Sequence, residues 1–257
     1  MLVLNFLTHL KSQLCRHMDI DAEDIFGSAL LDYHNGNPKG ELITHSTLGG
    51  TDTLPLPYLF RSYAEMPEME QKALQIAYGK ILDVGCGAGS HSLWLQQHDK
   101  TVTAIDISPG AVAVCASRGI EKVVQEAFLT FEGETFDSIL LLMNGIGLAR
   151  SMEALPNFLE HAKKLLRAGG QILLDSSDVI YLYETDDDGG VWVPGDVAYY
   201  GEAQFQMEYN GQMTSGFDWL YIDFNRLKKE AEIVGLDCEL VMFGDHYDYL
   251  AKLCPSK

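Results

Sequence analysis

The sequence predicts an α/β protein built on a doubly wound, mostly parallel sheet, and three observations carry that expectation. The apolar run Ile81–Val84 passes directly into three alternate glycines, Gly85, Gly87 and Gly89, and then into a helix opening at Ser90. Glycine there supplies the positive φ of a tight turn and leaves no Cβ between backbone and ligand. A second apolar run, Thr101–Ile105, ends in Asp106, where a carboxylate can accept hydrogen bonds from both hydroxyls of a ribose. From Lys80 onward strand-like and helix-like patterns alternate, the signature of a parallel sheet with helices on both faces.

The opening residues, Met1–Leu10, are apolar but lack the basic n-region and cleavage site of a secretion signal, and Met18 is a second candidate start. Ile25–Tyr33 repeats apolar residues at helical spacing and stops at the turn cluster Asn35–Gly40. Glu41–Tyr58, rich in Gly, Thr and Pro, reads as irregular, and Met69–Tyr78 as a helix closed by Gly79. Residues 1–78 are thus expected to form an N-terminal extension and cap, and 79–257 the main domain. Strands are expected near Ile81–Val84, Thr101–Asp106, Lys122–Gln125, Phe136–Met143 and Gln171–Asp175. Helices fall near Ser90–Gln97, Pro109–Arg118, Glu153–Arg167 and Phe224–Val234, and Leu236–Leu253 reads as a terminal hairpin. Between about 181 and 221 the alternation breaks. Aromatic and β-branched residues (Val191, Trp192, Val193, Tyr199, Tyr200, Phe205, Tyr209, Trp219) recur between turn signals, which predicts a β-rich insertion.

Of the 257 residues, 47% are hydrophobic, so the chain can bury a sizeable core. No apolar run approaches the ~20 residues of a membrane span. Formal charge is −19 and the pI is near 4.6. Nucleic-acid enzymes need a basic surface against phosphate repulsion, so this acidity argues against DNA or RNA and suits a soluble cytoplasmic protein. The cysteines, Cys15, Cys86, Cys115, Cys238 and Cys254, are scattered, with no Cys-x-x-Cys pair for zinc and no secretory framework. Cys86, inside the glycine loop, reads as a small packing residue rather than a redox group. The run Glu184–Gly190 lacks EF-hand ligand spacing and reads as a solvated turn. Nothing in the sequence identifies a metal.

Asp83, two positions before Gly85, narrows the ligand. A pyrophosphate wants helix N-terminal amides and no nearby anion, whereas a carboxylate suits a ligand bearing ammonium and sulfonium groups. The glycines also run Gly-x-Gly-x-Gly rather than the Gly-x-Gly-x-x-Gly of dinucleotide sites.

With these residues in view, the chain resembles the class I S-adenosylmethionine-dependent methyltransferases. Asp83–Gly89 is similar to their first motif and Asp106 to their ribose-binding acid. Glu126-Ala127 matches the acidic-plus-small pair after strand three, and Phe136–Asn144 the strand opened by an aromatic-Asp pair. Leu165–Leu174 looks like their helix, Gly-Gly turn and fifth strand. The resemblance spans roughly Gly79 to Leu253. It implies a Rossmann-like sheet of seven strands with the last antiparallel, S-adenosyl-L-methionine as methyl donor, and an insertion lying over the cofactor to help enclose the acceptor, with an edge extension or a dimer contact as the alternative reading of that insertion. By the same resemblance, Asp83, Gly85, Cys86, Gly87 and Gly89 would hold the methionine part. Asp106 would hold the ribose, Ile107 would lie against adenine, and Glu126 and Ala127 would bond its edge. Asn144 would sit beside the reacting centre.

The segment after the fourth strand, Met143–Leu148, lacks the Asn/Asp-Pro-Pro-aromatic motif of similar enzymes that methylate DNA amino groups or glutamine amides. With the acidic pI, this points to a small-molecule acceptor, its reacting atom open. Acceptor-side candidates are Tyr33, His34, Tyr58, Arg61, Tyr63, His246 and Tyr247. Histidine as a residue type titrates near neutrality, which makes His34 or His246 a candidate general base, with Tyr33 a further catalytic candidate. Arg61 is either a bidentate partner for the cofactor carboxylate or an anionic substrate, or a surface arginine paired with an acid. Two other readings stay open: a cofactor-binding module without turnover, and an NAD-dependent oxidoreductase, which Asp83 disfavours.

Overall fold

The computed structural model describes residues 24–183, 186, 190–191 and 198–256. Cys15, Met18, Trp192, Val193 and much of the acidic run at 184–190 lie outside the described residues. The chain opens with α1 (Ile25–His34), β1 (Leu42–Ser46), β2 (Gly50–Leu54), α2 (Leu56–Leu59) and α3 (Glu68–Ile76). The alternating portion follows: β3 (Lys80–Val84), α4 (Ser90–Gln97), β4 (Thr101–Asp106), α5 (Pro109–Ser117), β5 (Val123–Gln125), β6 (Phe136–Leu141), α6 (Leu155–Lys164) and β7 (Leu166–Ser177). Then come β8 (Glu202–Tyr209), β9 (Gln212–Met213), β10 (Phe217–Leu220), α7 (Phe224–Ile233), β11 (Leu236–Phe243) and β12 (Asp248–Pro255).

The main sheet has seven strands in the order β11-β12-β7-β6-β3-β4-β5. β3 to β7 run parallel, and β12 lies antiparallel between β7 and β11. Four successive residues of β3, Ile81 to Val84, are buried, as expected of a parallel strand covered on both faces. Alternate side chains go to opposite layers. Leu82, Val84, Ile139, Leu141, Ile172 and Leu174 pack toward α6 and α7, while Ile81, Leu140 and Leu173 pack with Ala73 and Leu74 of α3 and Leu95 of α4. α6 buries Leu155, Phe158, Leu159 and Ala162, one apolar stripe at helical spacing.

One expectation needs correction. Glu41–Tyr58 is not irregular: it forms the β1–β2 hairpin, then the short α2. β1 also pairs antiparallel with β8, and β8 with β10. The cap and the insertion are therefore one small sheet, ordered β10-β8-β1-β2. It packs on α1 and α2 through Leu42 and Tyr209, and closely on the turn after β6, where a Cβ on Gly147 would lie 2.1 Å from the Trp219 ring of β10. Only glycine admits so close an indole.

α1 is fastened to the main sheet through α5. Asp24 caps α1 by accepting from Gly27 N at 2.9 Å, and its other oxygen accepts from Gly110 N at 2.8 Å and Ser108 Oγ at 2.9 Å. The two helices meet backbone to backbone, since a Cβ on Gly110 would stand 2.5 Å from the Gly27 carbonyl carbon. We expect Gly110→Val to lower stability by about 1–3 kcal/mol through overpacking in urea unfolding. Unchanged stability would contradict this contact.

Candidate active site

Gly85, Gly87 and Gly89 all have positive φ, at 67°, 52° and 80°. The turn's amides at Gly85 and Cys86 both donate to Ile105 O, at 2.9 and 3.1 Å, fastening it to β4. Asp106 completes the lock: Gly87 N donates to Oδ2 and Ser108 N to Oδ1, each at 2.9 Å. Burial pushes the Asp106 carboxyl above its ordinary pKa, the Ser108 and Gly87 amides oppose that, and the nearby Asp24 and Asp83 carboxylates add to it.

Asp83, 2% exposed, accepts a 2.6 Å hydrogen bond from the Ser92 hydroxyl of α4. Cys86 lies 3.7 Å from Cys115, sulfur to sulfur. That hydrogen bond and burial push the Cys86 thiol far up, so it stays protonated and unreactive.

Next to Asp106, Ile107 presents an apolar side chain that is 66% exposed. Glu126 N donates to Asp106 O at 3.0 Å, which brings Glu126 and Ala127 to the same rim. Phe26 of α1 reaches over the glycine turn, 3.7 Å from where a Gly87 Cβ would be. The structure thus gathers Asp83, Gly85, Cys86, Gly87, Gly89, Asp106, Ile107, Glu126 and Ala127 around one end of β3 and β4.

Asn144 follows β6, and Met143 and Asn144 both have positive φ, at 62° and 56°. Consecutive non-glycine residues in that region are uncommon and store strain. The strained peptide aims Asn144 N at Asp175 Oδ1, 3.0 Å away, and Ser177 Oγ lies 3.4 Å from Asn144 Oδ1.

Arg61 departs from its surface reading. It is 5% exposed, its guanidinium donates to Glu70 and to the Tyr58 carbonyl, and it lies 4.0 Å over the Tyr58 ring. Its buried Nε has no hydrogen-bond partner. His91 of α4 also bonds Glu70, at 2.7 Å. Burial alone would raise the Glu70 carboxyl, but His91 and Arg61 together outweigh it and hold the pKa low.

The remaining candidates are not brought together. His34 bonds Ser117 Oγ at 2.9 Å, at the far end of α5 from Asp106. Tyr33 packs on Phe60, and Tyr63 stacks on Trp94. His246 is exposed on the β11–β12 turn, and Tyr247 beside it stacks on Tyr181 at 4.9 Å.

Asp24, Glu70, His91 and Asp175 went unread in the sequence. For Asp175 a signal existed: it closes the apolar run Ile172–Leu174 as Asp106 closes Thr101–Ile105. Burial and the charge of Glu70 push its carboxyl up to about 7, against the Asn144 amide.

The fold and site define the Rossmann-like class I methyltransferase architecture. The sequence profile described as "Methyltransferase domain" matches residues 81–170. A solved S-adenosylmethionine-dependent methyltransferase from Bacteroides fragilis, in complex with S-adenosyl-L-homocysteine, is 42% identical with a TM-score of 0.85, over 91% of this chain and 96% of that one. The chain belongs to the S-adenosylmethionine-dependent methyltransferases. The CcbJ methyltransferase of Streptomyces caelestis, 14% identical over 77% of this chain and 93% of its own with a TM-score of 0.59, shares the fold.

Curated relatives match over shorter spans. Phthiotriol/phenolphthiotriol dimycocerosates methyltransferase of Mycobacterium leprae is 30% identical over 100 residues, 36% of each chain. Ubiquinone biosynthesis O-methyltransferase of Xanthomonas oryzae pv. oryzae is 28% identical over 114 residues, 40% of this chain and 45% of the relative. The chain thus spans less than half the length of these curated relatives. Among the described residues, no helix is long and apolar enough to cross a membrane.

The shift at Asp175 has a thermodynamic sign. The fold favours the neutral acid, so this group's contribution to stability is complete below the ordinary aspartate pKa and is lost as pH climbs through about 7. Asp175→Asn is therefore expected to raise the thermal unfolding midpoint at pH 8 by several degrees, with the gain shrinking toward pH 4. A midpoint unchanged or lowered at pH 8 would show that the buried charge carries no such cost.

Proposed function

We propose that the protein transfers the methyl group of S-adenosyl-L-methionine to a small-molecule acceptor. One observation carries this reading: the glycine turn locked to Asp106 stands beneath an exposed apolar shelf at Ile107. It does so in a chain 42% identical, over nearly its whole length, to a methyltransferase solved with S-adenosyl-L-homocysteine.

In this reading the residues suit the cofactor part by part. Asp83 and the Gly85–Gly89 backbone take the methionine portion, with Cys86 as an inert spacer. Asp106 takes the ribose hydroxyls, Ile107 lies against adenine, Glu126 accepts from the adenine amino group, and the Ala127 amide donates to a ring nitrogen. The unpartnered Arg61 Nε is left for a carboxylate, of the cofactor or of an anionic acceptor. Asn144 borders the reacting centre.

When bound, the cofactor supplies an activated methyl on a sulfonium. The chain's task is then to align the nucleophile in line and exclude water. Phe26 from α1 reaches over the glycine turn, and Trp219 seats the small sheet on the 145–149 turn. The cap and the insertion together therefore enclose the acceptor. Acidity and the missing Pro-Pro-aromatic motif favour a small acceptor over a nucleic acid.

Two measurements test this. Calorimetry is expected to show S-adenosyl-L-homocysteine binding that Asp106→Ala weakens by about 1–3 kcal/mol through lost hydrogen bonds. Unchanged affinity in the folded variant would remove Asp106 from the site, and binding of NAD instead would overturn the assignment. Incubation with methyl-labelled cofactor and a small-molecule extract is expected to label a product. A protein that only binds the cofactor would give none.

A further inference from the structure

The cofactor reading leaves one buried group without a task. Asp175 lies one residue before the end of the buried part of β7, the strand adjoining β6, and is only 9% exposed. In open α/β sheets the chemistry takes place at the carboxyl ends of the strands. Asp175 occupies that edge beside Asn144, whose amide holds one of its oxygens at 3.0 Å through a strained pair of positive-φ residues. A carboxylate fixed by backbone on one side, at the edge where acceptor and donor meet, is placed to receive a proton.

Its charged surroundings are mixed. Glu70 from α3 and His91 from α4 act on it electrostatically, and it acts in turn on Tyr58 from α2. Arg61 follows α2, but its charge is engaged by Glu70. Asp83, the penultimate residue of β3, is bonded to Ser92. From β12 and β6 its neighbours are apolar, Leu250 opposite in register and Leu142 after β6. Glu70 is matched by Arg61 and His91, and among the described residues no basic side chain bonds the Asp175 carboxyl. Such a carboxyl favours a cationic guest.

Resting on the methyltransferase reading above, we propose that Asp175 is the catalytic proton acceptor and that the acceptor is an amine. The bound ammonium gives one proton to the Asp175 carboxylate, freeing the nitrogen lone pair. Nitrogen then bonds the methyl carbon as the carbon–sulfur bond breaks. Sulfur keeps the bonding pair as a neutral thioether, and the product leaves as a methylated ammonium. A carboxyl titrating near neutrality matches an alkylammonium far better than an aliphatic alcohol.

The test uses the full chain, methyl-labelled cofactor and a deproteinised small-molecule extract. Half the extract is treated with acetic anhydride and then hydroxylamine, which blocks amines and restores hydroxyls. We expect label transfer with the untreated half and none with the blocked half. Asp175→Asn should cut kcat by about 100-fold or more and erase the rise of kcat with pH through neutrality, with Kd for S-adenosyl-L-homocysteine unchanged within about twofold. Asp175→Glu should restore part of the rate.

Label that survives amine blocking overturns the proposal. So does an Asp175→Asn variant that keeps half its kcat, or an untreated extract that gives no product despite S-adenosyl-L-homocysteine binding. Failure to bind S-adenosyl-L-homocysteine at all would instead defeat the methyltransferase reading beneath it.

Discussion

The Asp106 carboxylate is the interaction on which the rest of the site depends. One oxygen fixes the glycine turn through Gly87 N and the other fixes the entry to α5 through Ser108 N. From Ser108 the chain of bonds continues through its hydroxyl to Asp24, and from Asp24 into the first turn of α1. A single run of hydrogen bonds therefore links the glycine turn to the helix covering it. Two carboxylates along this run, Asp24 and Asp106, accept backbone amides at helix entries, where the helix dipole favours negative charge.

This explains how so acidic a chain tolerates buried acids. Each has a definite counterweight: Ser92 for Asp83, paired amides for Asp106, and His91 with Arg61 for Glu70. Asp175 is served less well: the Asn144 amide, its own amide and the charge of His91 do not offset burial and the Glu70 carboxylate. A buried charge satisfied that poorly costs stability, and strained or destabilised groups of this kind collect where a protein does chemistry.

The main sheet was legible in the sequence because its signals are local. Unbroken apolar runs such as Ile81–Val84 mark a strand covered on both faces, and Asp106 announces itself at the end of another. The small sheet was only half legible. β8 and β10 carry aromatics that betray them, but β2 is exposed along most of its length and offers no alternation to read. β1 finds its partner β8 across more than half the chain, a pairing that no window of neighbouring residues contains. Glu70 and His91, and the pairing of Arg61 with Glu70, went unread for the same reason: α3, α4 and the stretch after α2 converge only once the chain has folded. His34 is a different case. Its residue type suits a general base, and its ring ties α1 to the end of α5.

The pairing of β1 with β8 has a consequence for how the molecule can be divided. Trimming the chain back to its alternating β/α portion would strip β8 of a neighbour and leave a row of amides and carbonyls open along it. Such a fragment would retain the whole glycine turn and still present a sticky margin to other copies of itself. The leading residues and the late insertion are thus halves of a single object, and neither can be discarded without orphaning the other.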